Sequence, residues 1–414
     1  MKDRPIALTP KLRFPEFAGR PGWNAVNGDE LFDPIDRRPA AAGLPVLAIT
    51  QEHGAIPRDD IDYRVSVTEA SIATYKEVQP GDFIISLRSF QGGIEYSRFH
   101  GICSPAYLIL KRKGIGCDDF FRHLFKSDRF IRQLTRNIEG IRDGKMISYK
   151  QFAEQLLPVP DPTEQLRIAE CLTSLDEWIA AEGRELAGLR AHRKGLMQEL
   201  FPQKGETRPR IRFPEFLDAP DWVTVRLGEY FETMTGGTPD RTKKEYWDGT
   251  IPWITTSLVD FNVIDETDEF ITEAGLRNSS AKLFPKGTVL IALYGQGKTR
   301  GQVALLDIEA ATNQACAAIL PVSGFDPVFT FLSLSGRYEE MRSLSNAGGQ
   351  ENLSQGLIRE LPFYYPDDPA ERERIAACLC SLDALISAQS RKLDALRAHK
   401  KGLTQRLFPS PERV

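Results

Sequence analysis

Two stretches of the chain, 161–202 and 367–409, carry the same hydrophobic rhythm. In the first, apolar residues fall at Ile168, Leu172, Leu175, Ile179, Leu186, Leu189, Leu196 and Leu200. In the second they fall at Ile375, Leu379, Leu382, Ile386, Leu393, Leu396, Leu403 and Leu407. Steps of four and three give a 3.5-residue period, the period of a coiled-coil seam. The seams break at matching places, Glu182 and Arg193 in one, Gln389 and Lys400 in the other. Polar residues at such positions cost stability but fix register and partner. One reading has each helix covering its own domain; the narrow stripe favours the two helices pairing with each other. Some forty residues of helix make a rod of about 60 Å, long enough to hold two domains a fixed distance apart.

The duplication extends beyond the helices. KLRFPEF (11–17) recurs as RIRFPEF (210–216), each followed by a tryptophan, Trp23 and Trp222. Within the two helical stretches roughly three positions in five are identical, and a period of about 200 residues implies duplication of a whole module. The expected organisation is an N-terminal arm (1–20), a first globular region (21–160), helix one (161–202), a linker and second arm (203–220), a second globular region (221–366) and helix two (367–409). Both globular regions read as short strands separated by Pro/Gly turn signals, such as DFIISL after Pro80-Gly81 and TVLIAL after Lys286-Gly287. Each then passes through a helical patch, 117–134 in the first and 329–344 in the second. The fold class is α+β: two mixed domains, an antiparallel pair of long helices, and an internal pseudo-twofold repeat.

Composition narrows the class only slightly. The 414 residues allow two or three domains, and 41% hydrophobic with 27% charged is ordinary for a soluble globular protein. A net charge of −4 gives no support to nucleic-acid binding, so any basic surface must be local. The six cysteines are scattered without a CxxC pair, the N-terminus does not read as a secretory signal, and no apolar run reaches a membrane span. A cytoplasmic location is expected.

Candidate chemistry is sparse. LIALYGQGKTRGQVALL contains Gly-Lys-Thr after a strand, but a phosphate loop needs a glycine where Ala292 stands, and it must open a helix. A hairpin tip carrying Tyr294, Gln296, Lys298, Thr299 and Arg300 fits better. SPAY (104–107) has a partial likeness to the tetrapeptide with which amino-methyltransferases hold a base, but no cofactor loop precedes it. The five histidines are isolated, and neither a metal cluster nor a nucleophile motif is present in the sequence. Basic and aromatic residues do interleave in loops: Arg88, Gln91, Tyr96, Arg98, Arg142 and Lys145 in the first module, Arg241, Lys243, Lys244, Tyr246 and Trp247 in the second. Any one of them, like the hairpin tip, also suits a plain solvated loop; their recurrence in both modules, with Arg and Lys suited to guanine edges and Gln to adenine, makes them and the tip the candidate nucleic-acid contacts.

The duplicated segments PVPDPTEQLRIAECLTSLD…LRAHRKGLMQELFP and DPAERERIAACLCSLD…LRAHKKGLTQRLFP resemble the repeated regions of the specificity subunit of type I restriction-modification enzymes. TGGTPDRTKKEYWDGTIPWIT, ITEAGLRNSSAKLFPKGTVLIAL and AATNQACAAILP resemble that family's target-recognition domain, and GDFIISLRSFQGGIEYSRFHGICSPAYLIL resembles another variant of it. The usual Glu-Gln at the helix start is present as Glu164 and Gln165 but becomes Glu371 and Arg372 in the second copy. The resemblance implies a non-catalytic subunit with no cofactor of its own. It would read a split site on double-stranded DNA and dock two modification subunits, which carry S-adenosylmethionine. A restriction subunit using ATP and Mg would cleave. The alternatives are a specificity subunit of a related fused restriction/methyltransferase system, or a coiled-coil scaffold without DNA readout; an enzyme would need the catalytic constellation that is missing.

Overall fold

In a computed structural model of the chain, the residues described are 8–39, 43–61, 72, 74–114, 116–136, 147–295, 297–346 and 352–409. The chain divides into two units, 1–184 with 390–414, and 185–389. The long helices Pro162–Leu200 and Pro369–Leu407 are each continuous over 39 residues. Each unit therefore contains the first part of one long helix and the last part of the other.

Both helices start as their sequences dictate. Proline occupies the first helical position, where its missing N–H costs nothing. The preceding aspartate caps the free donors: Asp161 Oδ1 accepts from Thr163 N (3.0 Å), and Asp368 Oδ1 from Ala370 N (2.9 Å). Every predicted seam position is buried or half-buried. In the first unit, Lys400 donates to Asp176 and Lys392 to Glu182 (2.7 Å). In the second, Arg193 donates to Asp383 and Gln389 to Glu185 (3.1 Å). Rising numbers on one helix meet falling numbers on the other, so within each unit the pairing is antiparallel.

The first unit holds a sheet in which Phe32–Ile35, Leu108–Arg112, Phe83–Ile85 and Glu95–Tyr96 lie side by side, antiparallel throughout. Gln79 to Asp82 make the turn into its central strand: Asp82 N donates to Gln79 O (3.1 Å), and Gly81 takes φ +91°, as the third position of a type II turn requires. Helices Asp118–Phe125 and Asp128–Arg136 pack on this sheet through an aromatic core of Phe32, Phe83, Phe120, Phe121, Phe125 and Phe152. Ile168 and Leu172 of one long helix and Leu407 and Phe408 of the other close that core.

The second unit has the same frame: Thr233–Thr235, Cys316–Ile319 and Val289–Ala292 in that order, again antiparallel. Gly287 takes φ +88° in the matching turn. Helices Pro327–Ser335 and Tyr338–Asn346 follow, and Leu200, Phe201, Ile375 and Leu379 close this core. A second four-stranded sheet is added here, with Trp247–Ile254 running parallel to Ala310–Thr312.

The repeated arm is tied down in both units. Arg13 grips Glu164 through Nε and Nη2 (2.8 and 2.7 Å), and Arg212 grips Glu371 in the same way (2.6 and 2.6 Å). The irregular helix start in the second copy keeps the bond to the preceding segment but not the acceptor that Gln165 Oε1 offers to Cys117 N (3.1 Å). Gln165 Nε2 donates to Pro160 O (3.0 Å), and Arg372 Nη1 replaces it on Pro366 O (2.7 Å) and Asp367 O (3.0 Å).

Candidate nucleic-acid interface

In the second unit, strand register brings four connections to one end of the sheets. Ala292 lies opposite Cys316, Thr235 opposite Ala317, and Ile254 beside Thr312. The loops that leave those ends are 236–239, 255–261, 293–302 and 313–315. Backbone hydrogen bonds tie them together: Gly237 N to Thr312 O (2.8 Å), Asn313 N to Ile254 O (3.1 Å), and Leu293 N to Ala315 O (2.8 Å). Residues 293–302 join two antiparallel strands, Val289–Ala292 and Val303–Leu306, and so form a hairpin connection.

Tyr294 and Lys298 are exposed on this hairpin, and Thr299 and Arg300 are half-buried. Gln296 lies outside the described residues. The tip rests on the helix Tyr338–Asn346: Tyr338 Oη donates to Lys298 O (2.6 Å), and Arg342 Nη1 donates to Gly297 O (2.6 Å). Gly297 at φ +72° and Gly301 at φ +86° allow the chain to turn there. Phe261 approaches from the neighbouring loop. It takes φ +52°, donates its N–H to Val303 O (2.8 Å), and sets its ring edge-on to Tyr338 (5.2 Å).

The 241–246 residues play a different part. Arg241 lies over the rings of Trp247 (4.0 Å) and Trp253 (4.9 Å) and pairs with Glu269 (2.7 Å). Its guanidinium is held by cation–π contact and an ion pair together. Tyr246 is buried, and Lys243 Nζ donates to its hydroxyl (3.1 Å). Lys244 is exposed. Of this group, Arg241, Lys243 and Lys244 are exposed cations, whereas Tyr246 is buried with Lys243 Nζ over its ring (4.9 Å).

The sheet end also gathers polar residues that the sequence did not single out. Thr238 donates to Gln314 Oε1 (2.6 Å), and Thr255 and Ser257 hydroxyls share a hydrogen bond (2.5 Å). Gln302 donates to Asp260 Oδ1, and Asp260 N donates to Asn262 Oδ1 (2.9 Å). Short hydroxyl and amide side chains in loops have no signature of their own. Only the pairing of strands far apart in sequence collects them.

In the first unit the corresponding connection leaves Phe83–Ile85. Arg88 and Gln91 are exposed around the short helix Ser89–Gly92. Lys126 fastens this connection: its Nζ donates to Gly92 O (3.0 Å), to Gln51 O (3.2 Å), and to Glu95 Oε1. Burial pushes Glu95 up to about 6, against the opposing effect of Lys126. Tyr96 is half-buried against Phe83 (5.1 Å), and burial raises its hydroxyl pKa. Arg98 is exposed, 3.8 Å from Asp119. Arg142 and Lys145 lie outside the described residues. The structure thus gathers Arg88, Gln91 and Tyr96 about one connection and puts Arg98 beside it.

Among the described residues, no group of three or more His, Cys, Asp or Glu side chains is placed to hold a metal ion. No helix there is long and apolar enough to cross a membrane.

Residues 220–398 match the family model of the type I restriction modification DNA specificity domain. The MjaIX specificity subunit of Methanocaldococcus jannaschii is 28% identical over 181 residues, 42% of this chain and 41% of that one. The EcoR124I/EcoR124II specificity subunit of Escherichia coli is 25% identical over 293 residues, 67% of this chain and 68% of that one. Residues 220–398 thus carry a type I restriction modification DNA specificity domain. Solved members share the fold. The S subunit from M. genitalium aligns over 98% of this chain and all of its own at TM-score 0.58 and 15% identity. A chain from a structural study of type I complex assembly and conformational transition aligns over 94% of this chain and 98% of its own, at TM-score 0.60 and 19% identity.

Proposed function

We propose that the chain is a type I specificity subunit, that each of its units reads one half of a divided DNA sequence, and that the paired helices set the unread spacer between the halves. The observation that carries this reading is the frame repeated in the two units, with different loops at its end. The loop 86–94 and the hairpin 293–302 leave matching strands, yet one offers Arg88 and Gln91 and the other Tyr294, Lys298 and Arg300. A constant frame with unlike reading loops suits a protein that must recognise two unlike half-sites. The symmetry logic is that of dimeric DNA readers, carried here in one polypeptide.

Double-stranded DNA is the ligand in this reading, and two modification subunits and a restriction subunit are the protein partners. S-adenosylmethionine belongs to the former, ATP and Mg to the latter. Modification subunits can supply much of the phosphate clamp, which makes the net charge of −4 tolerable. Exchanging residues 293–302 for the loop of another specificity subunit tests the assignment. The second half-site should change while the first half-site and the spacer stay as they were. A change in the first half-site, or in neither, would refute it.

A further inference from the structure

The long helices are alike, so each could in principle pair with a copy of itself from a second chain. Most of the interface offers no discrimination against that. The apolar seam is the same in both helices. The Asp–cation layer is also the same: Asp176 with Lys400 in one unit, Asp383 with Arg193 in the other. Like-with-like pairing would still set an aspartate against a cation. The helix ends dock equivalently too, Phe408 on Phe120 (5.4 Å) and Phe201 on Phe329 (5.5 Å).

One layer differs. Glu182 on the first helix is 7% exposed, and its Oε1 accepts from Trp178 Nε1 (2.6 Å) and Lys392 Nζ (2.7 Å). At the equivalent place on the second helix stands Gln389, 9% exposed, whose amide donates to Glu185 Oε2 (3.1 Å). Both carboxylates of the layer therefore lie on the first helix. The first helix carries Glu and Glu where the second carries Gln and Lys. First with second gives Glu182–Lys392 and Gln389–Glu185, both satisfied. First with first gives Glu182 against Glu185 twice, with one carboxylate buried and no cation in the layer. Uncompensated like charges at a buried seam position are strongly disfavoured.

We infer that the Glu182/Glu185/Gln389/Lys392 layer is a partner-selection device: it makes the first long helix reject a second copy of itself and accept only the second helix. The occupant it selects is the sister helix of the same chain, which keeps two unlike reading domains in one assembly and prevents symmetric assemblies carrying two identical ones.

The test uses the full chain with a protease site placed in the exposed connection 204–207. The folded protein is cleaved, unfolded in urea, refolded, and its pairings are weighed by native mass spectrometry. Wild-type halves should return only as unlike pairs. E182Q/K392E gives every possible pairing the same Gln–Glu contact, and should yield roughly tenfold or more like-with-like pairs relative to wild type. E185K, which makes first-with-first complementary, provides a second variant should that one refold poorly, and it should enrich pairs of N-terminal halves. Like-with-like pairs in wild type at the level of the variants would overturn the inference. So would exclusively unlike pairs in the variants.

Discussion

Arg212 and Glu371 meet edge to edge, with Nε and Nη2 each 2.6 Å from a carboxylate oxygen, and both side chains are almost wholly buried. Trp222 Nε1 adds a third donor to the same carboxylate (3.3 Å), and Arg212 Nη1 reaches Ala219 O (2.7 Å). The pair thus fastens the recurring RFPEF arm to the first turn of the second long helix. Removing one partner leaves the other charged and buried. Arg212→Ala should cost about 3–5 kcal/mol in urea unfolding. Arg212→Lys should recover only part of that, because an ammonium cannot reproduce the forked geometry. A loss below ~1 kcal/mol for the alanine variant would show the arm to be held by its apolar contacts.

The pH dependence of the first unit should carry two opposed contributions. Burial and the neighbouring Arg122 hold His123 down to about 2, so the folded form stays neutral. The unfolded chain takes up a proton below the ordinary 6.5, so stability is lost as pH falls through that value. Glu95 acts in the other direction. Its raised value of about 6 means the folded form binds a proton first, so stability falls as pH rises from about 4.5 to 6. His123→Gln, which keeps a hydrogen-bonding group near Thr173, should flatten the loss below pH 6.5. Glu95→Gln should remove about 2 kcal/mol of the opposing slope. Chemical unfolding of each variant at several pH values checks both signs.

The seam itself should behave as a core. Leu379 is fully buried, and Leu379→Ala should destabilise the second unit by about 2–5 kcal/mol. The half-site sequences recognised by the complex should be unchanged, because the reading loops are untouched. Altered half-sites would show that the helices do more than space the domains.

The long helices were legible because a 3.5-residue pattern leaves little freedom: Ile168, Leu172, Ile375 and Leu379 are all core residues. The polar breaks were legible as positions but not as partners, since Glu182 and Lys392 meet only after antiparallel pairing. The reading edge was harder. Lys298 and Tyr294 stood out by type within a hairpin. Tyr246 looked equally suitable yet is buried, with Lys243 Nζ over its ring and Gly275 of the helix Glu273–Arg277 packed against it. Thr238, Ser257 and Gln314 reach the same edge only through the parallel pairing of Trp247–Ile254 with Ala310–Thr312, which no local pattern announces.

Lys298 and Arg300 should separate phosphate from base contacts. Lys298 is exposed at the tip, whereas Arg300 is half-buried. Lys298→Ala should weaken DNA binding for all sequences and reduce the salt slope by about 0.9. Arg300→Ala should cost about 1–3 kcal/mol at the cognate second half-site and far less on unrelated DNA. Fluorescence-anisotropy titrations of the assembled complex across salt concentrations distinguish the two.

Single-molecule methylation mapping of DNA from cells expressing this chain with its modification subunit tests the central claim most directly. The result expected is one split motif, with a modified adenine in each half and a fixed number of unread bases between them. A single continuous motif, or no new methylation while both subunits are expressed and assembled, would contradict it.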